Sequence, residues 1–306
     1  MAILDTGLLS PGLRSEFFDA LQAAPTVYQD LCTRIESMRD KEPYGFLGTV
    51  PPLREWGTGR LARGMFAQRY DISNMKYEST LEVDRDEISD DQTGQIRLRV
   101  RELGERAAQH KDSLLAALLI NGATAGFHSY DGVPFFSASH ESGKSGAQNN
   151  DIHSAATDAD IPTLAETRVA MAAAISKLLT FKDDQGEPMS NAATGLVAIV
   201  PPQTYLTFLE AMHASVIAAT TNVLANAARV VAFPRLSDAT IFYLCKTDVS
   251  VRPFIWQDRE PIDFRALELD SETGFMREKW LYGVRARYAL TYGYWQRALR
   301  VTFTQS

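Results

Sequence analysis

Residues 65–84 read MFAQRYDISNMKYESTLEVD, and the last nine of them alternate with a period of two. Tyr77, Leu81 and Val83 fall on one face of an extended strand, while Lys76 and the acidic residues fall on the other. Residues 65–72 also have the composition of a strand, and Asn74 stands where a turn would reverse the chain. We therefore predict a polar hairpin. Because an isolated two-stranded hairpin is only marginally stable in water, this one requires a neighbour such as a second copy of the chain.

The strongest helical pattern follows this stretch and covers residues 92–121. Apolar residues recur there at spacings of three and four, with one wider gap between Ala107 and Leu114. The Ser-Asp-Asp sequence at 89–91 offers N-caps and the negative charge that suits a helix N-terminus. Lys111, Asp112 and Ser113 are expected to bend or break the helix. A helix of about 30 residues would span about 45 Å, which is long for a compact domain.

The remaining elements run from a helical start to a strand-rich end. Apolar stripes predict short helices at 15–22 and 26–38, within a loosely organised N-terminal arm. Thr163 and Glu166 have the spacing of a capping box, which predicts a helix at 162–180. A strand at 195–200, a helix at 203–212 and a short strand at 133–136 are also indicated. The last third predicts strands at 229–233, 240–246, 251–256, 263–270 and 277–292, the final two forming a hairpin.

The composition indicates a soluble, acidic protein. The chain has 306 residues, 45% of them hydrophobic and 23% charged, with a net charge of −7, and its length allows two subdomains. A surface built to bind nucleic acid would be basic, so the charge argues against one, while a protein that encloses nucleic acid stays compatible. Cys32 and Cys245 carry no metal spacing and indicate reduced thiols. No signal peptide or bilayer-length apolar run is visible, which predicts synthesis in the cytoplasm.

Candidate chemistry in the sequence is sparse. His128, Asp131, His140 and Glu141 lie close together and could form an acid–base or metal site, but their spacing matches no metal motif and the segment is turn-like. The GTGR sequence at 57–60 lacks the strand and helix that flank a phosphate-binding loop. The four tryptophans could stack on nucleic acid, although the acidic total favours core or inter-subunit roles. We expect no catalytic residue, cofactor or metal.

Several sequence blocks together resemble one known family, the major head (capsid) subunit of Mu-like phages and prophages. The blocks are PYGFLGTVPPLREWGTGR (43–60), YESTLEVDRDEISDDQTG (77–94), YDGVPFFSASH (130–140), FKDDQGEPM (181–189), LVAIVPP (196–202), VVAFPRLSDATIFYLC (230–245), FIWQDREPIDF (254–264) and FMREKWLYGVRARYALTYGYWQRA (275–298). Each block alone is weak, but their order and spacing along most of the chain make the resemblance specific.

The resemblance implies an α+β fold of the Hong Kong 97 phage capsid type. This fold has an N-terminal arm, an extended β-hairpin loop, a peripheral domain with a long spine helix, and an axial domain near the capsomer centre. Carried onto this sequence, the arm is 1–48, the extended loop 49–85, the peripheral domain 86–189 and the axial domain 190–255. Residues 256–306 would supply the peripheral strand pair and return to the axial domain.

The implied function is self-assembly rather than catalysis. Copies would form pentamers and hexamers in an icosahedral virion shell around double-stranded DNA, with scaffold, portal and decoration proteins as further partners and no membrane. An encapsulin-like shell with protein cargo and a soluble hydrolase using 128–141 are the alternatives. The side chains expected to contact a neighbouring subunit are Trp56, Arg60, Tyr70, Lys76, Tyr77, Arg97 and Arg101.

Overall fold

A computed structural model describes residues 6–44, 70–84, 86–87, 94–217, 219–267, 271 and 276–306. The described helices are α1 (Thr6–Ala23), α2 (Tyr28–Leu31), α3 (Gln95–Asn121), α4 (Leu164–Leu179) and α5 (Tyr205–His213), with a 3-10 turn at Trp295–Arg297. In this part of the chain, no helix is long and apolar enough to cross a membrane.

The strands form two main sheets and two small strand pairs. They are β1 (Cys32–Glu36), β2 (Lys41–Tyr44), β3 (Tyr70–Ser73), β4 (Met75–Asp84), β5 (Asp151–Ala156), β6 (Leu196–Val200), β7 (Val216–Ile217), β8 (Thr220–Thr221), β9 (Arg229–Ala232), β10 (Ile241–Lys246), β11 (Phe254–Leu267), β12 (Lys279–Tyr292) and β13 (Ala298–Gln305). The mixture of packed helices and sheets confirms the predicted α+β class.

A four-stranded sheet in the order β1-β11-β12-β4 forms the first layer, and α1 and α3 pack against it. The apolar residues of β4 face this core, where Val83 is buried with Phe17 of α1 and Val100 of α3. The alternation in β4 was therefore predicted correctly. The partner strand of β4 was predicted wrongly, because β4 pairs antiparallel with β12 over ten residues rather than with residues 65–72.

The polar hairpin forms between different strands from those predicted. β3 pairs antiparallel with β2, from Lys41 opposite Ser73 to Tyr44 opposite Tyr70. We call this β2–β3 pair the stem. Residues 45–69, which connect its two strands, lie outside the described residues, as do most of residues 65–72. The strand that precedes Asn74 thus finds its partner upstream, within the range predicted as the N-terminal arm.

The long helix α3 contains 27 residues and crosses about 40 Å without interruption. Gly94 precedes it with a φ of 74°, a left-handed conformation that glycine adopts readily; the predicted caps at 89–91 lie outside the described residues. Lys111 and Asp112 do not break the helix. Both are buried on its inner face, because partners elsewhere in the fold satisfy their charges.

Gly104 allows α1 to cross α3 at very close range. A Cβ atom placed on Gly104 would lie 2.5 Å from the carbonyl oxygen of Phe17 and 3.2 Å from the Cβ of Ala20. The first of these neighbours is backbone and cannot rotate away. The glycine therefore sets how closely the N-terminal helix packs onto the long helix.

The second main sheet has the order β5-β13-β10-β6-β9 and carries the larger hydrophobic core. Helices α4 and α5 pack on one another, and α4 contacts β5 and β13 while α5 contacts β9. The capping box at the start of α4 is confirmed, because Thr163 accepts from the Glu166 backbone N–H and the Glu166 carboxylate accepts from the Thr163 N–H at 2.8 Å.

Three local predictions were wrong. Residues 26–38 form only one helical turn and then β1, because β1 pairs in parallel with β11. The strands predicted separately at 251–256 and 263–270 share the single long strand β11, whose register shifts between Asp258 and Glu260 and between Glu260 and Asp263. The predicted hairpin of 263–270 with 277–292 is confirmed, because Asp263–Leu267 pair antiparallel with Leu281–Arg285 of β12. Residues 133–136 form no regular strand, only an isolated bridge from Pro134 to His128.

We expect Gly104→Ala to destabilise the subunit by about 1–2 kcal/mol, since the added methyl group forces α1 and α3 apart. Gly12→Ala in α1 is the matched control, because no atom lies within 4 Å of the point that its added Cβ would occupy and alanine favours helix by up to about 1 kcal/mol. Denaturant unfolding at fixed protein concentration measures both. Equal stabilisation by the two changes would contradict the close crossing.

Candidate functional site

The histidine cluster predicted as a possible acid–base site is a buried structural unit. His140 Nδ1 lies 2.6 Å from Asp131 Oδ2, and its ring stacks on Trp295 with centroids 4.1 Å apart. Its Nε2 lies 3.1 Å from the side-chain oxygen of Asn150. The His140 side chain is 0% exposed and that of Asp131 4%. A substrate cannot reach this pair, which therefore holds the 128–150 segment against the core.

The other two members of that cluster do not join the pair. His128 is exposed and its Nε2 accepts from the Gly126 N–H at 3.2 Å, and Glu141 is exposed as well. Among the residues that the structure describes, no group of three or more His, Cys, Asp or Glu side chains could hold a metal ion. His128 and Glu141 are accessible, but neither is hydrogen-bonded to the buried His140–Asp131 pair, so the loop does not bring the four residues together as one site.

The stem is fixed firmly to the four-stranded sheet. Tyr44 Oη donates to Gln257 Oε1 at 2.6 Å, and Tyr70 Oη lies 2.6 Å from Thr291 Oγ1. Ile72 is buried with Tyr44 in a small core that also contains residues of β11 and β12. Burial raises the pKa of the Tyr70 hydroxyl. Residues 45–69 therefore begin and end at a fixed position on this sheet.

The predicted contact residues fall into three groups. Trp56 and Arg60 lie outside the described residues. Tyr70 and Tyr77 make contacts within the subunit. The Tyr70 hydroxyl lies 2.6 Å from Thr291 Oγ1. The Tyr77 ring packs between the rings of His110 and Tyr288, with centroid distances of 4.5 Å and 4.7 Å. Lys76, Arg97 and Arg101 are exposed.

The three exposed cations differ in whether they form an ion pair within the subunit. Arg101 on α3 bonds Glu16 of α1 at 3.4 Å, so part of its charge holds the two helices together. Neither Lys76 nor Arg97 forms an ion pair within 4 Å among the described pairs. Among the described residues, these two are therefore the predicted contact cations that no ion pair engages.

A buried pair on α3, missed by the sequence patterns, connects the long helix to the N-terminal segment. The Asp112 carboxylate accepts hydrogen bonds from the backbone N–H groups of Tyr28, at 2.8 Å, and Val27, at 3.1 Å. It thus caps the start of α2. Burial raises the pKa of Asp112, while these two hydrogen bonds oppose the rise.

Lys111 beside it is enclosed by aromatic rings. Its Nζ lies 3.7 Å from the Trp256 ring centroid and 5.1 Å from those of Tyr28 and Tyr288. Cation–π attraction partly replaces the water that this ammonium loses. Burial nevertheless lowers the pKa of Lys111 to about 8. One turn of α3 therefore binds α2, β11 and β12 at once.

Comparison with protein families identifies the chain's relatives. The model of the family described as Mu-like prophage major head subunit gpT matches residues 7–167 and 236–304. The Mu-like prophage FluMu major head subunit of Haemophilus influenzae is 24% identical over 290 residues, covering 94% of this chain and 70% of that protein. The major capsid protein of Escherichia phage Mu is 25% identical over 289 residues, with the same two coverages.

Comparison with solved structures gives the fold. The chain is similar to a subunit in the procapsid of bacteriophage JBD30, with a TM-score of 0.59 and 26% identity. The similarity covers 99% of this chain and 76% of the phage subunit. The Hong Kong 97-like fold that the sequence resemblance implies is thereby confirmed.

The buried ammonium predicts a specific pH dependence. The folded pKa of Lys111, about 8, lies below its ordinary value of 10.5, so the unfolded chain binds more protons between these limits. The stability of the native protein relative to Lys111→Met should therefore rise as pH increases through that window, by at most about 1.4 kcal/mol per pH unit.

Denaturant unfolding at a series of pH values measures this difference, in which the titrations common to both proteins cancel. Lys144→Met, at an exposed lysine, is the control and should give a flat difference. A flat difference for Lys111→Met as well would show that the buried amine is solvated.

Proposed function

Because the chain belongs to the Mu-like prophage major head subunit family, we propose that its copies assemble as pentamers and hexamers into an icosahedral shell that encloses double-stranded DNA. The chain is a major capsid protein of a phage virion, and its family is structural rather than enzymatic. The observation that carries the proposal is the family match over 7–167 and 236–304, which includes α3 and most of the strands of both main sheets.

In the proposed subunit, the four-stranded sheet and α3 form the peripheral domain, and the five-stranded sheet forms the axial domain. The predicted boundary at residue 189 would then move, because β5 pairs with β13 and α4 packs on both. Leu206, Val216 and Val223 are 72%, 60% and 86% exposed and belong to α5, β7 and the turn after β8. Exposed apolar side chains at these three positions suit contacts around a capsomer centre.

The extended loop, predicted at 49–85, would instead comprise residues 45–69 and lie across a neighbouring copy, because β4 belongs to the four-stranded sheet. Their sequence supports this role, because it contains four arginines (Arg54, Arg60, Arg63 and Arg69) and one acidic residue, Glu55, for a net charge of +3 in a chain whose total is −7. A basic segment on an acidic subunit is attracted to a second copy of that subunit. The stem supports it as well, since both ends of the segment leave the sheet at one fixed place.

The acidic total also suits the proposed contents of the shell. Basic surfaces bind DNA through its phosphates, and this binding slows movement of the duplex. A subunit with a net charge of −7 would enclose packaged DNA while holding it weakly. We further propose synthesis in the cytoplasm of the bacterial host, and scaffold, portal and decoration proteins as partners of the assembling shell.

The two alternative functions have less support. A protein-cargo shell would share the fold, but the family match is to phage head subunits. A hydrolase would require the candidate groups of 128–141 to form one accessible site. His140 and Asp131 are instead buried together, while His128 and Glu141 are exposed and do not join them.

Replacing residues 45–69 with Asn-Gly tests the assembly arm. Tyr44 and Tyr70 are antiparallel partners, and Asn-Gly is a favoured two-residue hairpin turn, so the stem can close without the segment. We expect a folded, soluble subunit that forms no closed shells, because the contact across neighbouring copies is lost. Sedimentation velocity and electron micrographs report assembly, and thermal unfolding reports the fold. Closed shells of normal size from the shortened chain would contradict the role of the segment.

A further inference from the structure

The loop at residues 37–40, between β1 and β2, is held by a carboxylate from β2. Glu42 Oε1 accepts hydrogen bonds from the backbone N–H groups of Met38 and Arg39, both at 2.9 Å, and from Ser37 Oγ at 3.2 Å. A carboxylate that accepts from backbone N–H groups makes charge-assisted hydrogen bonds, which are stronger than neutral ones. These hydrogen bonds lower the pKa of Glu42, and the one from the Met38 N–H has the largest effect. One side chain thus closes the loop into a fixed turn.

The other strand of the stem holds the same loop through Asn74. Its Nδ2 donates to the Arg39 carbonyl oxygen at 2.9 Å and to Ser37 Oγ at 3.0 Å. Its backbone N–H donates to the Asp40 carbonyl oxygen at 3.0 Å. Asn74 is 8% exposed. We call the arrangement of Glu42, Asn74 and loop 37–40 the stem clamp.

The stem clamp is in turn bonded to the four-stranded sheet. Arg287 of β12 bonds Asp40 at 2.6 Å through one terminal nitrogen and Glu260 of β11 at 3.1 Å through the other. The Ser37 N–H donates to the Asp258 carbonyl oxygen at 2.9 Å. The loop, both stem strands and the sheet therefore form one continuous hydrogen-bonded unit, in which Glu42 is the single side chain with three bonds to the loop.

The stem clamp restricts the direction of the stem and buries little apolar surface. Glu42 lies outside all three hydrophobic cores, and Met38, whose N–H it binds, is 82% exposed. Hydrogen bonds at such an exposed position add little to global stability. They fix the stem at loop 37–40, a second point besides the contacts of Tyr44 and Tyr70 with the sheet. Two separate attachment points restrict the angle at which β2 and β3 leave the sheet.

We propose that Glu42 is a positioning residue for shell assembly, which sets the direction in which residues 45–69 leave the subunit. The inference rests on the proposed role of those residues as the arm that contacts a second copy. A change in the angle of the stem displaces whatever is attached to it, and a loosened stem would therefore present residues 45–69 to the neighbour less precisely.

The test compares Glu42→Ala and Glu42→Gln with Glu36→Ala. The glutamine side chain would keep an acceptor oxygen without the charge, and Glu36 is an exposed carboxylate on β1 that serves as the matched control. We expect the affinity of one inter-subunit contact to fall by about tenfold in Glu42→Ala, which corresponds to about 1.4 kcal/mol, and the yield of closed shells to fall with it. The yield should fall less in Glu42→Gln and stay unchanged in Glu36→Ala, with all three subunits folded by thermal unfolding.

Hydrogen exchange gives a second measurement that does not require assembly. In Glu42→Ala the amides of Met38 and Arg39 should exchange faster, while core amides of β6 and β10 keep their protection. Wild-type yield from a Glu42→Ala subunit whose Met38 and Arg39 amides exchange fast would overturn the positioning role and leave the proposed shell intact. If the native chain itself formed no shells, the proposed function would fail and the inference with it.

Discussion

One helix is shared by the two larger hydrophobic cores, and the arrangement of the described part of the subunit depends on it. The N-terminal half of α3 places Ile96 and Val100 in the core of the four-stranded sheet, and its C-terminal half places Leu115 and Leu119 in the larger core. Because an α-helix bends little over such a length, the two sheets are held at a fixed separation. Asp112 and Lys111, between these halves, bind α2 and β11 to the same helix.

This shared helix explains why the subunit can use polar elements at its periphery. With both cores fixed by α3, the stem needs only a small core of its own and a set of hydrogen bonds to acquire a defined direction. An apolar stem would bury more surface, but exposed apolar strands pair with other chains before assembly is complete. A polar stem keeps the free subunit soluble while it still fixes where residues 45–69 begin and end.

The elements that sequence predicted well are those whose signal is local. The period of α3 and the capping box of α4 depend on no distant partner, and the alternation in β4 predicted correctly which face of the strand is buried.

The partner of β4 lies about 200 residues further along the chain, so no local pattern could reveal it. In the same way, Leu31 and Ile35 have helical spacing, yet the helix ends at Leu31 and pairing with β11 makes residues 32–36 a strand. Buried charges were misjudged for this reason too, because the groups that accept Lys111 and Asp112 are distant in sequence. The family resemblance supplied the fold class and the function, but it could not supply the contact residues.

The contact residues were hard to predict because an assembly surface has no chemical signature comparable to a catalytic site. An aromatic side chain such as Tyr77 suits an interface and a core equally well, and its packing between His110 and Tyr288 shows only that the fold uses one side of the ring. Cations are ambiguous in the same way, since Arg101 is engaged by Glu16 while Lys76 stays in solvent. Function in this protein therefore depends on where the fold directs a segment more than on any single reactive group. For this reason the hydrogen bonds that set the angle of the stem matter to assembly although they add little to the stability of the subunit.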